Sequence, residues 1–279
     1  MIIDGKAIAE KIKSSLREEV FPPEADQPLA GKKKIRLAVI KVGADPVTEK
    51  YLEVKKKFAK AIGVDVRIYE VPKDISTNKL REKISEVVRI EEISGVIVQL
   101  PLPPQINTQY ILDAIIPEKD PDMLSARTWG RFSTGKSKIL PPVIAAIKAI
   151  FDENKIDLKG KNAVIVGAGR LVGKPAALWL INEGATVSVI DENTKNQEDY
   201  TKKADIIISG AGKPKIIKPY MVRDGVVAID CGTSESSGQI VGDIDPDVAK
   251  KASIFSPIPG GVGPITIAML FRNLIELSK

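Results

Sequence analysis

The sequence predicts an α/β protein built as two α/β layers in succession, the second of them Rossmann-like. Three observations carry that prediction. Helical and strand periodicities alternate almost from end to end, and strands separated by helices pair in parallel through right-handed crossovers. A chain of 279 residues is long enough for about two domains at roughly 150 residues each. In the second half, a glycine-spaced turn lies between an apolar strand and a helix, as it does where a doubly wound nucleotide fold begins.

Ile8, Ile12, Leu16 and Val20 recur at every fourth position and predict an amphipathic first helix, which Pro22, Pro23 and Pro28 end. A lysine-rich loop leads into the strand RLAVIKV, Arg36 to Val42. Asp45-Pro46 then supplies an N-cap carboxylate and a proline at the first helical position, opening a helix that runs to about Ile62 and closes at Gly63. A strand (Val64 to Val71), a helix (Thr77 to Ile90) and an apolar strand (Gly95 to Gln99) follow. Pro117, Pro121, Pro141 and Pro142 mark a seam within 117–142. Beyond it come a strand (Asn162 to Val166), a helix (Leu171 to Glu183), a strand (Thr186 to Ile190) and apolar runs at Ile206 and Val226. After a glycine-proline turn, a last helix spans Ile265 to Leu277. The chain shows no internal repeat and no low-complexity stretch.

Composition narrows the chemistry. The chain has no histidine and one cysteine, Cys231. That excludes Ser-His-Asp and Cys-His machinery, His-ligated zinc or haem, an internal disulfide and a four-cysteine metal site. Acid–base work falls to Lys, Asp, Glu or Tyr, and no metal is expected. Cys231 follows an apolar run and reads as packed rather than reactive. The formal charge is +6, with lysines and acids interleaved. Dense basic runs occur only at Lys32 to Lys34 and Lys55 to Lys57, with little aromatic interleaving, so no nucleic-acid partner is expected. The modest excess suits attraction of an anionic cofactor. No apolar run is long enough for a membrane span and MIIDGKAIAE lacks signal-peptide regions, so no membrane partner and a cytoplasmic location are expected.

Gly167-Ala168-Gly169-Arg170-Leu171-Val172-Gly173 follows the strand AVIV and precedes a helix. Glycines there permit a tight turn and close backbone approach, while the helix N-terminus presents free N–H groups to a pyrophosphate. The spacing is GxGxxxG, a variant of the commoner pattern, and a strand-to-helix turn without a ligand is the plain alternative. Asp191 closes the next strand, where a carboxylate meets ribose hydroxyls. Together these favour an NAD-type cofactor.

On the helix opened by Asp45-Pro46, Thr48, Tyr51 and Lys55 share one face. An amphipathic surface helix with solvated lysines is the plain reading; a Tyr/Lys pair serving chemistry is the functional one. Three further stretches bear on the choice: VQLPLP (Val98 to Pro103), PEKDPD (Pro117 to Asp122) and PIPGGVGPIT (Pro257 to Thr266). With VGADPVTEKYLEVKKK, VGKPAALWL and GD, they make nearly the whole chain resemble the methylenetetrahydrofolate dehydrogenase/methenyltetrahydrofolate cyclohydrolase family, in the family's order.

The resemblance implies an N-terminal catalytic domain over 1–141, rejoined by a C-terminal helix at 263–279, and a nucleotide-binding domain over 142–262, with folate in the cleft between them and a homodimeric assembly. It matches Lys55 to the catalytic lysine, Tyr51 to the substrate-stacking tyrosine, Gln99 to the glutamine beside the lysine and Asp122 to the acid that holds the pterin. Thr48, Val98, Leu100 and the loop Pro259, Gly260, Gly261, Val262, Gly263, Pro264 and Ile265 fall in the folate site. Gly167, Ala168, Gly169, Arg170, Gly173, Asp191, Glu192, Thr233 and Thr266 fall in the site for NAD or NADP. Plain roles remain open: Gln99 can satisfy backbone groups, and Asp120 or Asp122 can cap a turn. The chain also departs from the pattern. KDVDG reads Lys119-Asp120-Pro121-Asp122-Met123, PCTP is reduced to Leu140-Pro141-Pro142, the glycine-arginine-serine is Gly167-Ala168-Gly169, and CHS is Ile190-Asp191-Glu192.

The implied reactions suit a chain without histidine. Hydride transfer from the methylene carbon yields a cation stabilised by its own nitrogens and needs positioning rather than a protein acid. Hydrolysis of the methenyl group needs proton transfer, which a lysine in a desolvated cleft beside a cation can perform. The expectation is therefore a bifunctional dehydrogenase/cyclohydrolase. A dehydrogenase-only member or a non-catalytic folate- or nucleotide-binding subunit is the alternative, against which Lys55 and Gln99 both count. NAD is favoured over NADP because Asp191 and Glu192 would repel a 2′-phosphate, with Arg170 and Lys195 as the nearby cations that would oppose this.

Overall fold

The structure, a computed structural model, describes residues 1–21, 34–43, 46–236 and 239–279. Pro22, Pro23, Pro28, Asp45 and the side chains of Thr48 and Tyr51 lie outside the described residues. The chain divides into two compact units, Met1–Ala9 with Val143–Thr266, and Glu10–Pro142 with Ile267–Lys279.

In the Glu10–Pro142 unit, α1 (Gly5–Val20) leads to β1 (Arg36–Val42), α2 (Pro46–Ala61), β2 (Asp65–Val71), α3 (Thr77–Arg89) and β3 (Gly95–Val98). Short helices α4 (Thr108–Leu112) and α5 (Ala126–Ser133) follow. The three strands form a parallel sheet in the order β2-β1-β3. Strand β1 is buried on both faces, so its apolar residues run consecutively rather than alternating with polar ones. Leu37 and Val39 pack into a cluster with Leu16, Leu52 and Phe271. Ala38 and Ile40 point the opposite way, into Leu80, Ile84 and Ile111. One strand with period-two side chains thus serves two cores.

The other unit holds α6 (Pro142–Glu153), β4 (Asn162–Val166), α7 (Gly173–Asn182), β5 (Thr186–Ile190), α8 (Gln197–Thr201), β6 (Ile206–Ser209) and β7 (Val227–Asp230). A two-stranded antiparallel ribbon, β8 (Ser234–Ser236) with β9 (Gln239–Val241), then precedes β10 (Ile254–Ser256) and α9 (Val262–Leu277). The parallel sheet has the order β10-β7-β6-β4-β5. The chain leaves β4 for one neighbour, β5, and returns on the other side as β6, so the carboxyl end of β4 is a topological switch point.

The units divide the chain differently from the sequence reading at its beginning. Residues 1–9, read there as part of 1–141, belong with β10: Ile3 N donates to Phe255 O at 2.9 Å, and Phe255 N to Met1 O at 2.9 Å. The last helix starts at Val262, three residues before the sequence reading, so Gly263 and Pro264 form its first turn. A proline is tolerated there because the N–H it lacks has no helical acceptor. Likewise α7 starts at Gly173 rather than Leu171. The β8–β9 ribbon, β10 and the short helices carry too little periodicity to be read from sequence. Among the described residues, no helix is long and apolar enough to cross a membrane.

Candidate active site

Helix α2 buries Leu52 and Ala59 against the sheet. Lys55, one turn beyond Leu52, is left half-buried at the helix flank. Gln99 follows β3 and continues the ladder, its N–H donating to Ile40 O at 2.9 Å. The Gln99 amide has two defined partners. Nε2 donates to Leu100 O at 3.3 Å, which turns Oε1 toward Lys55, whose Nζ donates to it at 3.0 Å. Gln99 therefore meets a backbone group and the lysine at once, and its backbone contact orients its contact with lysine. Val98 is buried in the core and Leu100 packs against it, so Val98 faces protein rather than solvent.

Asp120 and Asp122 separate into two roles. Asp120 is 1% exposed and ties down its own turn, accepting from Leu124 N at 3.2 Å, Ser125 N at 2.9 Å and Thr128 Oγ1 at 2.8 Å. Asp122 caps nothing among the described residues. Burial pushes its carboxyl up to about 6, against the pull of the Lys55 ammonium and with a further push from Asp120. Lys55 and Gln99 are thus joined just beyond the carboxyl end of β3, and Asp122 lies close enough for the Lys55 ammonium to act on its carboxyl.

In the second unit, Pro259 is exposed, and Val262 and Ile265 are buried, 2% and 0% exposed. The loop therefore offers backbone and proline ring rather than those two side chains. Gly5, which the sequence reading passed over, braces it: its N–H donates to Gly260 O at 2.9 Å, and a Cβ there would lie 1.8 Å from Gly261 O. Thr266 Oγ1 is engaged within its own helix, donating to Val262 O at 3.0 Å.

The glycine turn lies at the switch point of the five-stranded sheet. Gly167 has φ +98°, and a Cβ on it would lie 2.8 Å from Ala211 Cα. A Cβ on Gly173 would lie 1.9 Å from Gly167 O. Packing alone requires these two glycines. It does not require Gly169, whose Cβ would meet only Gly210 O at 3.8 Å. The space beside it belongs to a cavity of about 560 Å³ whose lining includes Gly167, Ala168, Gly169, Asp191, Glu192 and Lys213. Arg170, Gly173, Thr233 and Thr266 are not among its lining residues.

Residues 3–122 match the catalytic domain, and residues 141–279 the NAD(P)-binding domain, of tetrahydrofolate dehydrogenase/cyclohydrolase. The chain belongs to the tetrahydrofolate dehydrogenase/cyclohydrolase family. It is 42% identical to the bifunctional protein FolD of a Nitratiruptor species, over 100% of this chain and 98% of that protein. It superposes with a TM-score of 0.94 on the bifunctional enzyme FolD of Campylobacter jejuni, at 38% identity and covering 100% of this chain and 98% of that one. A Trypanosoma brucei methylenetetrahydrofolate dehydrogenase-cyclohydrolase, determined with NADP cofactor and an inhibitor, gives a TM-score of 0.92 at 32% identity, covering 100% and 97%.

Membership in the family makes the departures at Met123 and Asp191-Glu192 informative. Met123 stands where the family pattern has glycine, yet it keeps a glycine-like backbone, with φ +57°. The backbone beside Asp122 therefore takes the left-handed conformation that favours glycine, with a bulky side chain in glycine's place. At the end of β5, Asp191 Oδ1 accepts from Asn193 N at 2.9 Å, an Asx turn, and among the described residues Oδ2 has no partner. The cation nearest the second acid is Lys213, Nζ 3.9 Å from Glu192 Oε2. Lys195 lines a different cavity, with Asn162, Ser188 and Lys203. Lys213 escaped the sequence reading because it is distant in sequence from Glu192 and reaches it only through the pairing of β4 with both β5 and β6.

Proposed function

We propose that this protein oxidises 5,10-methylenetetrahydrofolate to 5,10-methenyltetrahydrofolate with a nicotinamide dinucleotide, and hydrolyses the product to 10-formyltetrahydrofolate. The observation that carries the second activity is the 3.0 Å hydrogen bond from Lys55 Nζ to Gln99 Oε1, with Asp122 beside it. A binding protein or an oxidase of the methylene group alone has no use for a positioned proton carrier.

Asp122, as carboxylate, accepts hydrogen bonds from the pterin's amino and ring N–H groups and orients the ring. Tyr51, by family resemblance, supplies the stacking surface. Gly167 to Gly169 would hold the dinucleotide's pyrophosphate and Asp191 its ribose, and the nicotinamide would supply the acceptor for the hydride. That cavity fits such a group because Gly169 leaves open a space no packing demands. In the hydrolysis, water adds to the methenyl carbon and the carbon–N5 bond breaks. Lys55 takes a proton from the adding water and returns one to N5, the second proton passing to solvent. Gln99 holds Nζ in place through a neutral amide, so it adds no charge beside the cationic substrate. The mechanism calls for no metal.

The finer reading of the cofactor is NAD rather than NADP. Two carboxylates, Asp191 and Glu192, face one ammonium, Lys213, around the cavity, and a 2′-phosphate would bring nearly two more negative charges. By family resemblance, the protein is cytoplasmic and homodimeric. The decisive test is Lys55→Met. A positioned acid–base group contributes about 10²–10⁴-fold, so methenyl hydrolysis should fall by that factor and oxidation by less. Unchanged hydrolysis would refute the assignment.

A further inference from the structure

Two carboxylates buried beside the cavity take no part in the steps above. Asp230 ends β7 and is 1% exposed; Asp243 follows β9 and is 0% exposed. Asp243 Oδ2 accepts from Ser209 Oγ at 2.9 Å, Ala211 N at 2.6 Å and Gly212 N at 3.3 Å, and Oδ1 accepts from Lys213 N at 2.9 Å. Asp230 in turn accepts from Asp243 N at 3.1 Å, Ile244 N at 2.8 Å and Gly232 N at 2.9 Å. Among the described residues neither carboxylate pairs with a cation; oriented N–H groups balance the charge. The fit leaves no slack. A Cβ on Gly232 would lie 2.1 Å from Asp243 Oδ1, and one on Gly242 2.0 Å from Asp230 Oδ2.

The loop that Asp243 gathers is a wall of the dinucleotide cavity, since Gly210, Ala211 and Lys213 all line it. Ala211 is also the residue against which Gly167 packs. A neutral side chain cannot do the same work. An amide offers one acceptor oxygen, so Asn at 243 that keeps its oxygen toward Ser209, Ala211 and Gly212 must turn its NH2 against the Lys213 N–H. We propose that Asp243 is a positioning residue for the dinucleotide: its carboxylate moulds residues 210–213 into the wall that adjoins the glycine turn and sets Lys213 across from Glu192. Asp230 holds the backbone of Asp243 and completes the relay. The inference rests on the assignment of this cavity to the dinucleotide.

Hydrolysis of the methenyl group provides the control, because it consumes no dinucleotide and Lys55, Gln99 and Asp122 all lie in the Glu10–Pro142 unit. In Asp243→Asn, the KM for the dinucleotide in the oxidation should rise about tenfold or more, the scale of one lost charge-assisted hydrogen bond. Methenyl hydrolysis should stay within about twofold of wild type on the same enzyme preparation. Ser209→Ala, which removes one donor and no charge, should move the dinucleotide KM in the same direction by less. An unchanged KM, or oxidation and hydrolysis falling together in step with a lowered melting temperature, would overturn the proposal. If Asp243→Asn does not fold, Ser209→Ala decides by the same two readouts. Hydrolysis without any dinucleotide-dependent oxidation in the wild type would instead overturn the cavity assignment, and this inference with it.

Discussion

Met123 offers a test in which the expected order of two variants is the reverse of the ordinary one. It is 2% exposed and sits at φ +57°, between the turn that Asp120 ties down and the start of α5. An L-residue in the left-handed region costs roughly 1–2 kcal/mol. Truncating a buried methionine costs about 2–5 kcal/mol, and Met123→Ala and Met123→Gly share most of that loss. They differ in backbone terms only. Glycine is disfavoured by ~0.4–1 kcal/mol through the extra freedom of its unfolded chain, but it escapes the left-handed cost that alanine keeps. The balance makes Met123→Gly more stable than Met123→Ala by about 0.5–1 kcal/mol, although both are less stable than wild type. At about 2–4 °C per kcal/mol for a unit of this size, the glycine variant should melt roughly 1–4 °C above the alanine one. Thermal and urea unfolding of the three proteins under one condition measure this. An alanine variant as stable as the glycine variant, or more so, would show that residue 123 does not hold a left-handed backbone. The left-handed turn beside Asp122 would then have to be abandoned.

Three further outcomes follow from the sites. Asp122 titrates near 6 because burial outweighs the attraction of Lys55. Affinity for a folate analogue should therefore fall about tenfold per unit as pH drops below that value, and Asp122→Asn should flatten the profile. The same raised group favours the folded state most at low pH. That contribution is complete below 3.8 and is lost as pH rises through about 6, because the folded carboxyl binds the extra proton in that window; a pH series of unfolding midpoints for wild type and Asp122→Asn measures it. For the cofactor, kcat/KM should favour NAD, and Asp191→Ser combined with Glu192→Ser should erase the preference. A wild-type preference for NADP would show that Lys213 outweighs the two carboxylates.

What the sequence by itself determined is local or ordered along the chain. Strand β1 announces itself by a continuous apolar run, α1 by its four-residue repeat, and the glycine turn by its place between β4 and α7, because each depends on residues that are near neighbours. The roles expected of Lys55, Gln99 and Asp122 came from the family resemblance that VGADPVTEKYLEVKKK, VQLPLP and KDPD carry, not from periodicity. The tertiary structure decided which groups meet. Gln99 reaches Lys55 across 44 residues and Ser209 reaches Asp243 across 34. Lys213 meets Glu192 only because β6 and β5 flank β4. It also divided glycines that look alike in the sequence, Gly167 and Gly173 being demanded by backbone contact and Gly169 by none. Such distinctions depend on which atoms occupy the space beside a residue, and in a parallel sheet those atoms come from strands that long crossovers separate in sequence.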